Sequence, residues 1–379
     1  MKLKKIVRNE NIINKKKDLE FIHSIKKFPV FMGTTDKRIV KDLKFDMNFY
    51  IGKSNGVVQL NPILPFSVIY KESHNSGLVG KLWMEHHEKF SYFIKKFNPK
   101  NILEIGGGHG ILSKLYQGKN IKTKWTIIEP NPSPIKGCKA VFKKKFFAKK
   151  DIINFDYDLL VHSHVLEHIF YPDKFISDIG SALSNNQLMV FSIPNLKAMI
   201  NRNYTNALNF EHTAYLSEDY LDFILNKNSF KIIKKLYFKK DHSIFYAVKK
   251  IKNFNKFLKI NLFKKNKNLF LNYFRKQKKI VEKINQHINN SNKKIFLFGA
   301  HVFSQYLISY GLNTKKITYI LDNDKKKQEK RLYGTKFIIK SPKILANYDK
   351  PLVILKAGVY NREIKNQILG NINRNTKFI

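Results

Sequence analysis

Cysteine is nearly absent: Cys138 is the single one in 379 residues, which excludes an internal disulfide framework and any all-cysteine zinc site. Acid is scarce, with 28 Asp and Glu against 71 Lys and Arg, a formal net charge of +43. Long apolar runs are missing too, and none approaches the roughly 20 residues that span a bilayer. The start, MKLKKIVRNENIINKKKDLEF, is basic but has no apolar segment behind it, so no secretory signal is expected and a cytoplasmic location is. What is present is enough for a packed core. Hydrophobic residues make up 43% and charged residues 26% of a chain long enough for two or three domains.

The charge admits a polyanionic partner such as nucleic acid or anionic lipid. Lys, Asn and Ile crowd the whole chain, however, so compositional bias explains most of it and no specific nucleic acid is expected. Residues 249–279 stand apart, with 12 Lys or Arg, no acid, and Phe254, Phe257, Leu258, Leu262, Phe263, Leu269, Phe270 and Phe274 interleaved. An amphipathic helix on a membrane face or a nucleotide phosphate site would fit. The preferred reading is an interdomain helix with its apolar stripe on the core.

From Asn101 an alternation begins. NILEI, WTIIEPN, YDLLVHSHV and QLMVFSIPN read as strands, with ILSKLYQ and PDKFISDIGSAL as helices between them. This predicts an α/β unit, a parallel sheet with helices on both faces. FKIIKKLYF and SIFYAVKK predict an antiparallel hairpin that closes it. After the basic stretch the alternation restarts with KKIFLFGA, HVFSQYLISYG, ITYILDND, PLVILKAG and a last helix from Asn361. Four parts follow: an N-terminal region (1–95), a first α/β domain (96–250), a linker helix (251–290) and a smaller α/β domain (291–379).

Gly106, Gly108 and Gly110 fall in GGGHG, between a predicted strand and a predicted helix. Glycines let main chain approach a ligand and turn through positive φ. The G-x-G-x-G spacing lacks the third glycine of a dinucleotide fingerprint. With Glu104 just before the glycines, it suits an amino-acid moiety whose ammonium group the acid holds, directly or through water. Glu129 ends the second strand, where a carboxylate can accept both ribose hydroxyls.

On these residues the segment 96–250 resembles the class I S-adenosylmethionine-dependent methyltransferases. The resemblance implies S-adenosylmethionine as cofactor. It also implies cofactor contacts from Ser163 and His164 at the fourth strand's end, and from Pro130 and Asn131 beside Glu129.

Two polar clusters lie beyond that motif. His162, His164, Glu167 and His168 would allow a metal triad, but cleft-lining polar groups are preferred and no metal is expected. Asn209-Phe210-Glu211-His212-Thr213-Ala214-Tyr215 follows the fifth strand, where a loop overhangs the cofactor's reactive end. Glu-His beside Tyr is an acid–base set.

SIPN, the EHxxY loop, and a C-terminal unit beginning with GA and carrying LDND and SP together resemble the sugar C-methyltransferase family, over nearly the whole chain. The resemblance implies a Rossmann-like methyltransferase domain, an N-terminal substrate domain and a smaller C-terminal Rossmann-like domain, acting on a nucleotide-linked keto sugar in surface-polysaccharide synthesis. His212 would be the base that forms an enolate and Glu211 its orienting partner, with His168 and Tyr215 on the enolate oxygen. Tyr70, His74, Asn195 and Asn209 would face the substrate. The sequence does not fix the oligomeric state, and a homodimer is open.

Departures are plain. Where the family carries zinc-binding cysteines, GKSNGVVQL has Gly52 and Asn55, followed by Gly56 and Gln59. Asn209 stands where a Tyr is usual, which keeps O- or N-methylation of a related activated sugar open. A nucleic-acid methyltransferase remains a rival on charge alone, although no NPPY-type motif is present. So does a cofactor-binding protein without turnover. GAHVFSQ, with one glycine, predicts a scaffold rather than a dinucleotide site, despite Asp322 and Asp324.

Overall fold

Alternating apolar strands and amphipathic helices can bury both faces of a sheet only by layering, and the computed structural model does this twice. It describes residues 4–70, 80–118, 122–252 and 260–379; His74, Phe254, Phe257 and Leu258 lie outside the described residues.

The central sheet has seven strands. In spatial order they are Phe230–Phe238, Ser243–Lys250, Leu188–Pro194, Leu159–Ser163, Asn101–Ile105, Lys124–Ile128 and Val141–Lys143. The last five are parallel, and the predicted hairpin adds the two antiparallel ones. In chain order this is 3-2-1-4-5-7-6, a Rossmann-like arrangement. Helix Lys81–Lys95 and helix Ile111–Gln117 cover one face through Phe90, Phe93, Leu112 and Tyr116. Pro172–Ala182 and Glu218–Lys227 cover the other through Phe175, Ile179, Tyr220 and Ile224. Asn101–Ile105 lies where strand order reverses, so a crevice opens at its carboxyl end.

The N-terminal part forms an antiparallel sheet of Leu19–Pro29, Lys44–Gly52 and Val58–Leu60. Its fourth strand, Ala214–Tyr215, comes from far along the chain and pairs with Val58 and Gln59. This graft fixes the EHxxY loop between the two sheets. Arg8 secures it: only 3% exposed, it donates to the carbonyls of Leu60, Phe170 and Thr213. Burial pushes its guanidinium pKa down to about 10.

At the positions that would carry zinc ligands, side-chain amides close on themselves. Asn11 and Asn55 exchange reciprocal hydrogen bonds of 3.1 Å, and Gln59 accepts from Ile12 N at 3.0 Å and donates to Glu10 O at 3.0 Å. A Cβ on Gly52 would meet Asn11 Nδ2 at 2.0 Å. Satisfied amides without a thiolate do not fit a structural zinc.

The C-terminal sheet is all parallel, in the order Ile339–Lys340, Ile317–Leu321, Ile295–Phe298, Leu352–Leu355, Lys377–Phe378. Helix Phe263–Asn289 joins the parts. It sets Phe270, Tyr273 and Phe274 in the N-terminal core and Val281, Ile284 and Ile288 in the C-terminal one. In the C-terminal unit Asp322 already accepts from Ala300 N at 2.8 Å and pairs with Lys327 at 3.2 Å.

The N- and C-terminal parts are also clamped. Arg331 grips Asp42 through two bonds of 2.5 and 2.7 Å, Gly334 N adds a third at 2.7 Å, and the Asp42 side chain is 1% exposed. Asp42→Ala removes a buried carboxylate that Arg331 and Gly334 N hold, while Arg331 keeps its bonds to the carbonyls of Lys37 and Thr335, and is expected to lower unfolding free energy by about 2 kcal/mol, read from urea denaturation. A loss below about 0.5 kcal/mol would mean the clamp is no more than a surface pair.

Candidate active site

The crevice begins with main chain. Gly106, Gly108 and Gly110 hold φ of +72°, +51° and +70°, and Gly110 leads directly into helix Ile111–Gln117. A Cβ would strike Val165 at 2.6 Å from Gly106, and Cys138 Sγ at 2.5 Å from Gly110. At Gly108 nothing lies within 4 Å, which leaves bare backbone open to a ligand. Glu129 faces this loop, with Oε2 accepting from Gly108 N at 3.2 Å and Oε1 from Asn131 N at 3.0 Å. Each oxygen keeps a second lone pair for a hydroxyl donor. An open glycine turn with a carboxylate beside it fits an amino-acid nucleoside such as S-adenosylmethionine.

Glu104 sits differently from the expectation. It is 2% exposed, beneath the loop, and accepts from Trp125 Nε1 at 2.8 Å. Burial raises its pKa to about 7, with the indole hydrogen bond working against the rise. A Cβ at Gly107 would meet its carboxylate at 2.8 Å, so the acid props the turn from below rather than reaching over it.

The strand Leu159–Ser163 ends at a sharp bend, with His164 at φ +52°. Both His164 nitrogens are engaged, Nδ1 with Glu167 Oε1 at 3.0 Å and Nε2 with Ser243 Oγ at 2.9 Å. The ring faces Trp83 and His86 at centroid distances of 4.9 and 5.1 Å. His162 is fully buried and stacked on Phe191 at 4.7 Å, so the triad of His162, His164 and His168 does not assemble.

A different group converges. His168 and His212 meet edge to face at 4.7 Å, and one donor atom each from Glu167, His168 and His212 lies within 4.8 Å of the others. Nδ1 of His212 is 2.9 Å from Ala207 O, a contact it can make only as an N–H donor. That tautomer leaves the lone pair on Nε2. Asn209 Oδ1 accepts from the backbone N–H of Glu211 at 2.8 Å and of His212 at 3.0 Å, which fixes the loop's turn. Tyr70 Oη lies 2.9 Å from His168 Nδ1, and Glu211 Oε2 lies 3.8 Å from the same atom. Burial drives the His168 pKa down to about 4. Burial would raise that of Glu167, but His164, by charge and hydrogen bond, then His168 and His212 hold it at about 2. At neutral pH the group is therefore an ionised carboxylate beside a neutral His168.

Four assignments from sequence change in detail. Glu211 stands beside His168, and what orients His212 is the Ala207 carbonyl. Tyr215 is 3% exposed and stacked on Phe49 at 5.6 Å inside the grafted sheet, so Tyr70 takes the place beside His168. Asn209 is 2% exposed and organises the loop instead of facing outward. Asn195 caps helix Leu196–Asn201, accepting from Ala198 N at 3.3 Å. Leu166, Glu167, Pro194, Ala207, His212 and Tyr215 line one pocket, so the loop and the strand end share a cavity.

Residues 80–235 match the family model of a methyltransferase domain, and residues 229–379 that of a C-methyltransferase C-terminal domain. No curated relative matches. Among solved structures the chain is similar to an O-methyltransferase family protein from Burkholderia thailandensis (7% identity, 45% of this chain and 57% of that one, TM-score 0.35). It therefore spans little more than half of that protein. It is also similar to the N-methyltransferase NodS from Bradyrhizobium japonicum (16% identity, 46% and 99%, TM-score 0.34). A third is the plantazolicin methyltransferase BpumL in complex with SAH (14% identity, 45% and 84%, TM-score 0.33). No helix among the described residues is long and apolar enough to cross a membrane.

Proposed function

We infer that this S-adenosylmethionine-dependent methyltransferase adds a methyl group to carbon beside the ketone of a nucleotide-linked deoxysugar, through an enolate, for surface-polysaccharide synthesis. The C-methyltransferase match of residues 229–379 supports transfer to carbon. The observation that carries the reading is the 2.9 Å contact of His212 Nδ1 with Ala207 O: Nδ1 is the donor there, so the neutral imidazole has on Nε2 the lone pair a base needs.

When bound, S-adenosylmethionine supplies a sulfonium methyl that needs no activation, so the chain's own work is placement and proton removal. The backbone of Gly106–Gly110 cradles the amino-acid end and Glu129 takes the ribose hydroxyls. His212 Nε2 removes the proton next to the ketone, and ionised Glu167 steadies the imidazolium that forms. Tyr70 donates to His168 Nδ1, which leaves His168 Nε2–H to meet the enolate oxygen as its charge grows. In this reading residues 1–95 shape the acceptor side, residues 96–250 hold the cofactor, the 251–290 helix joins the parts and residues 291–379 close over the sugar nucleotide.

The test uses a 4-keto deoxysugar nucleotide with deuterium beside the ketone. The enzyme alone should wash the label into water, and added cofactor should give a carbon-methylated product with equal release of S-adenosylhomocysteine. Methyl transfer without washout, or a product methylated on oxygen, would overturn the enolate.

A further inference from the structure

We propose that Glu167, His168 and His212 also form a binding site for a divalent cation of the zinc class, which occupies the His212 lone pair and halts proton abstraction. The silencing part rests on the reading of His212 as base; the site itself does not.

The geometry points to a cation because one donor atom of each residue converges within 4.8 Å, while each residue also has one polar atom held by a neighbour and one without a hydrogen bond. His212 Nδ1 is bound to Ala207 O, His168 Nδ1 to Tyr70 Oη, and Glu167 Oε1 to His164, which Ser243 holds in turn. Metal-binding histidines are oriented in this way, by a partner on the nitrogen that does not ligate. Glu167 Oε2 is sealed from solvent with no hydrogen-bond partner, an arrangement that leaves a carboxylate oxygen unsatisfied unless something positive meets it. Among the described residues no hydrogen bond reaches Nε2 of His168 or His212.

Two imidazoles and one carboxylate are the donor set of open zinc sites, with a fourth position left for water or substrate. Nitrogen donors favour zinc, cobalt or nickel over magnesium or calcium. Ligands on one zinc at about 2.1 Å sit roughly 3.4 Å apart in a tetrahedron, so the present 4.8 Å closes with side-chain movement of about 1 Å. Binding selects the His168 tautomer with Nδ1–H donated to the Tyr70 oxygen, a reversal a hydroxyl permits. Diffuse capture is disfavoured, because a chain of net charge +43 repels cations from its surface. The same lone pair cannot hold a metal and take a proton, so cation and catalysis compete.

The experiment titrates the full chain, first stripped with EDTA, with Co²⁺ and then Zn²⁺. One equivalent of Co²⁺ should develop visible d–d absorption, and Zn²⁺ should bleach it. Glu167→Gln and His212→Ala should each weaken binding at least ~10-fold. Zn²⁺ should suppress deuterium washout over the range in which it binds, and EDTA should restore it. Absence of a saturable band overturns the site. So does a band that Glu167→Gln leaves intact, which would place the cation elsewhere, for instance among His86, His87 and His242. Faster turnover with Zn²⁺ overturns the silencing. A band lost in Glu167→Gln, with no washout from any sugar nucleotide, keeps the cation site and removes the functional reading. Washout without a band removes the cation site alone.

Discussion

His212→Ala is expected to slow methyl transfer about 10²–10⁴-fold, the range for loss of a positioned general base. A carbon–hydrogen bond beside a ketone gives up its proton slowly, and only the deprotonated carbon is a nucleophile worth the name. The loss should therefore appear in deuterium washout and in methylation alike, and kcat and kcat/KM should fall together, as they do when an interaction of the transition state is removed. Cofactor affinity, measured by calorimetry, should hold, because Gly106–Gly110 and Glu129 are separate from the EHxxY loop. Glu211→Gln should be milder, about 10-fold, since its carboxylate lies 3.8 Å from His168 and it is the Ala207 carbonyl that holds His212, the proposed base. A Glu211→Gln variant as slow as His212→Ala would return Glu211 to the role its sequence position suggests. Washout at the native rate in His212→Ala would place the base elsewhere.

That contrast between Glu211 and Ala207 marks where sequence stops informing. The central sheet was legible, since strands such as NILEI and YDLLV must be buried on both faces and announce themselves as apolar runs. The glycine turn was legible because bare backbone at positive φ leaves few residue choices. Other features come from contacts distant in sequence. Tyr70 reaches His168 across 98 positions and Arg8 reaches the carbonyl of Thr213 across 205. A backbone carbonyl such as that of Ala207 carries no side-chain signal at all. The setting of Tyr215 is hidden for a related reason: the two residues Ala214–Tyr215 are too short to read as a strand, yet they complete a sheet begun at Leu19. Glu104 looked like a ligand because it precedes the glycines, whereas the position of Trp125 on the neighbouring strand decides that it lies beneath them.

The second large effect is expected on acidification. His86, His87, His162 and His242 are all buried, and burial pushes His87 down to about 4, His162 and His242 to about 3, and His86 well below the ordinary histidine value. Each folded-state pKa is depressed, so the folded chain refuses a proton that the unfolded chain accepts near pH 6.5. Stability is thus intact above about pH 6.5 and falls as pH drops from there towards the folded-state values. At pH 5 His87, His162 and His242 each account for about 2 kcal/mol, roughly 6 kcal/mol together, comparable with the whole stability of a typical domain, and His86 acts in the same direction. Urea midpoints measured from pH 7.5 to 5 should fall with a slope of several protons. Repulsion within so basic a chain also grows in acid, but salt screens exposed charges and spares this buried contribution. His162→Phe separates the two causes, because a phenyl ring can stack on Phe191 as the imidazole does at 4.7 Å and cannot be protonated. It should gain about 2 kcal/mol at pH 5 relative to its effect at pH 7.5. An equal effect at both pH values would mean that His162 takes no part in the acid response.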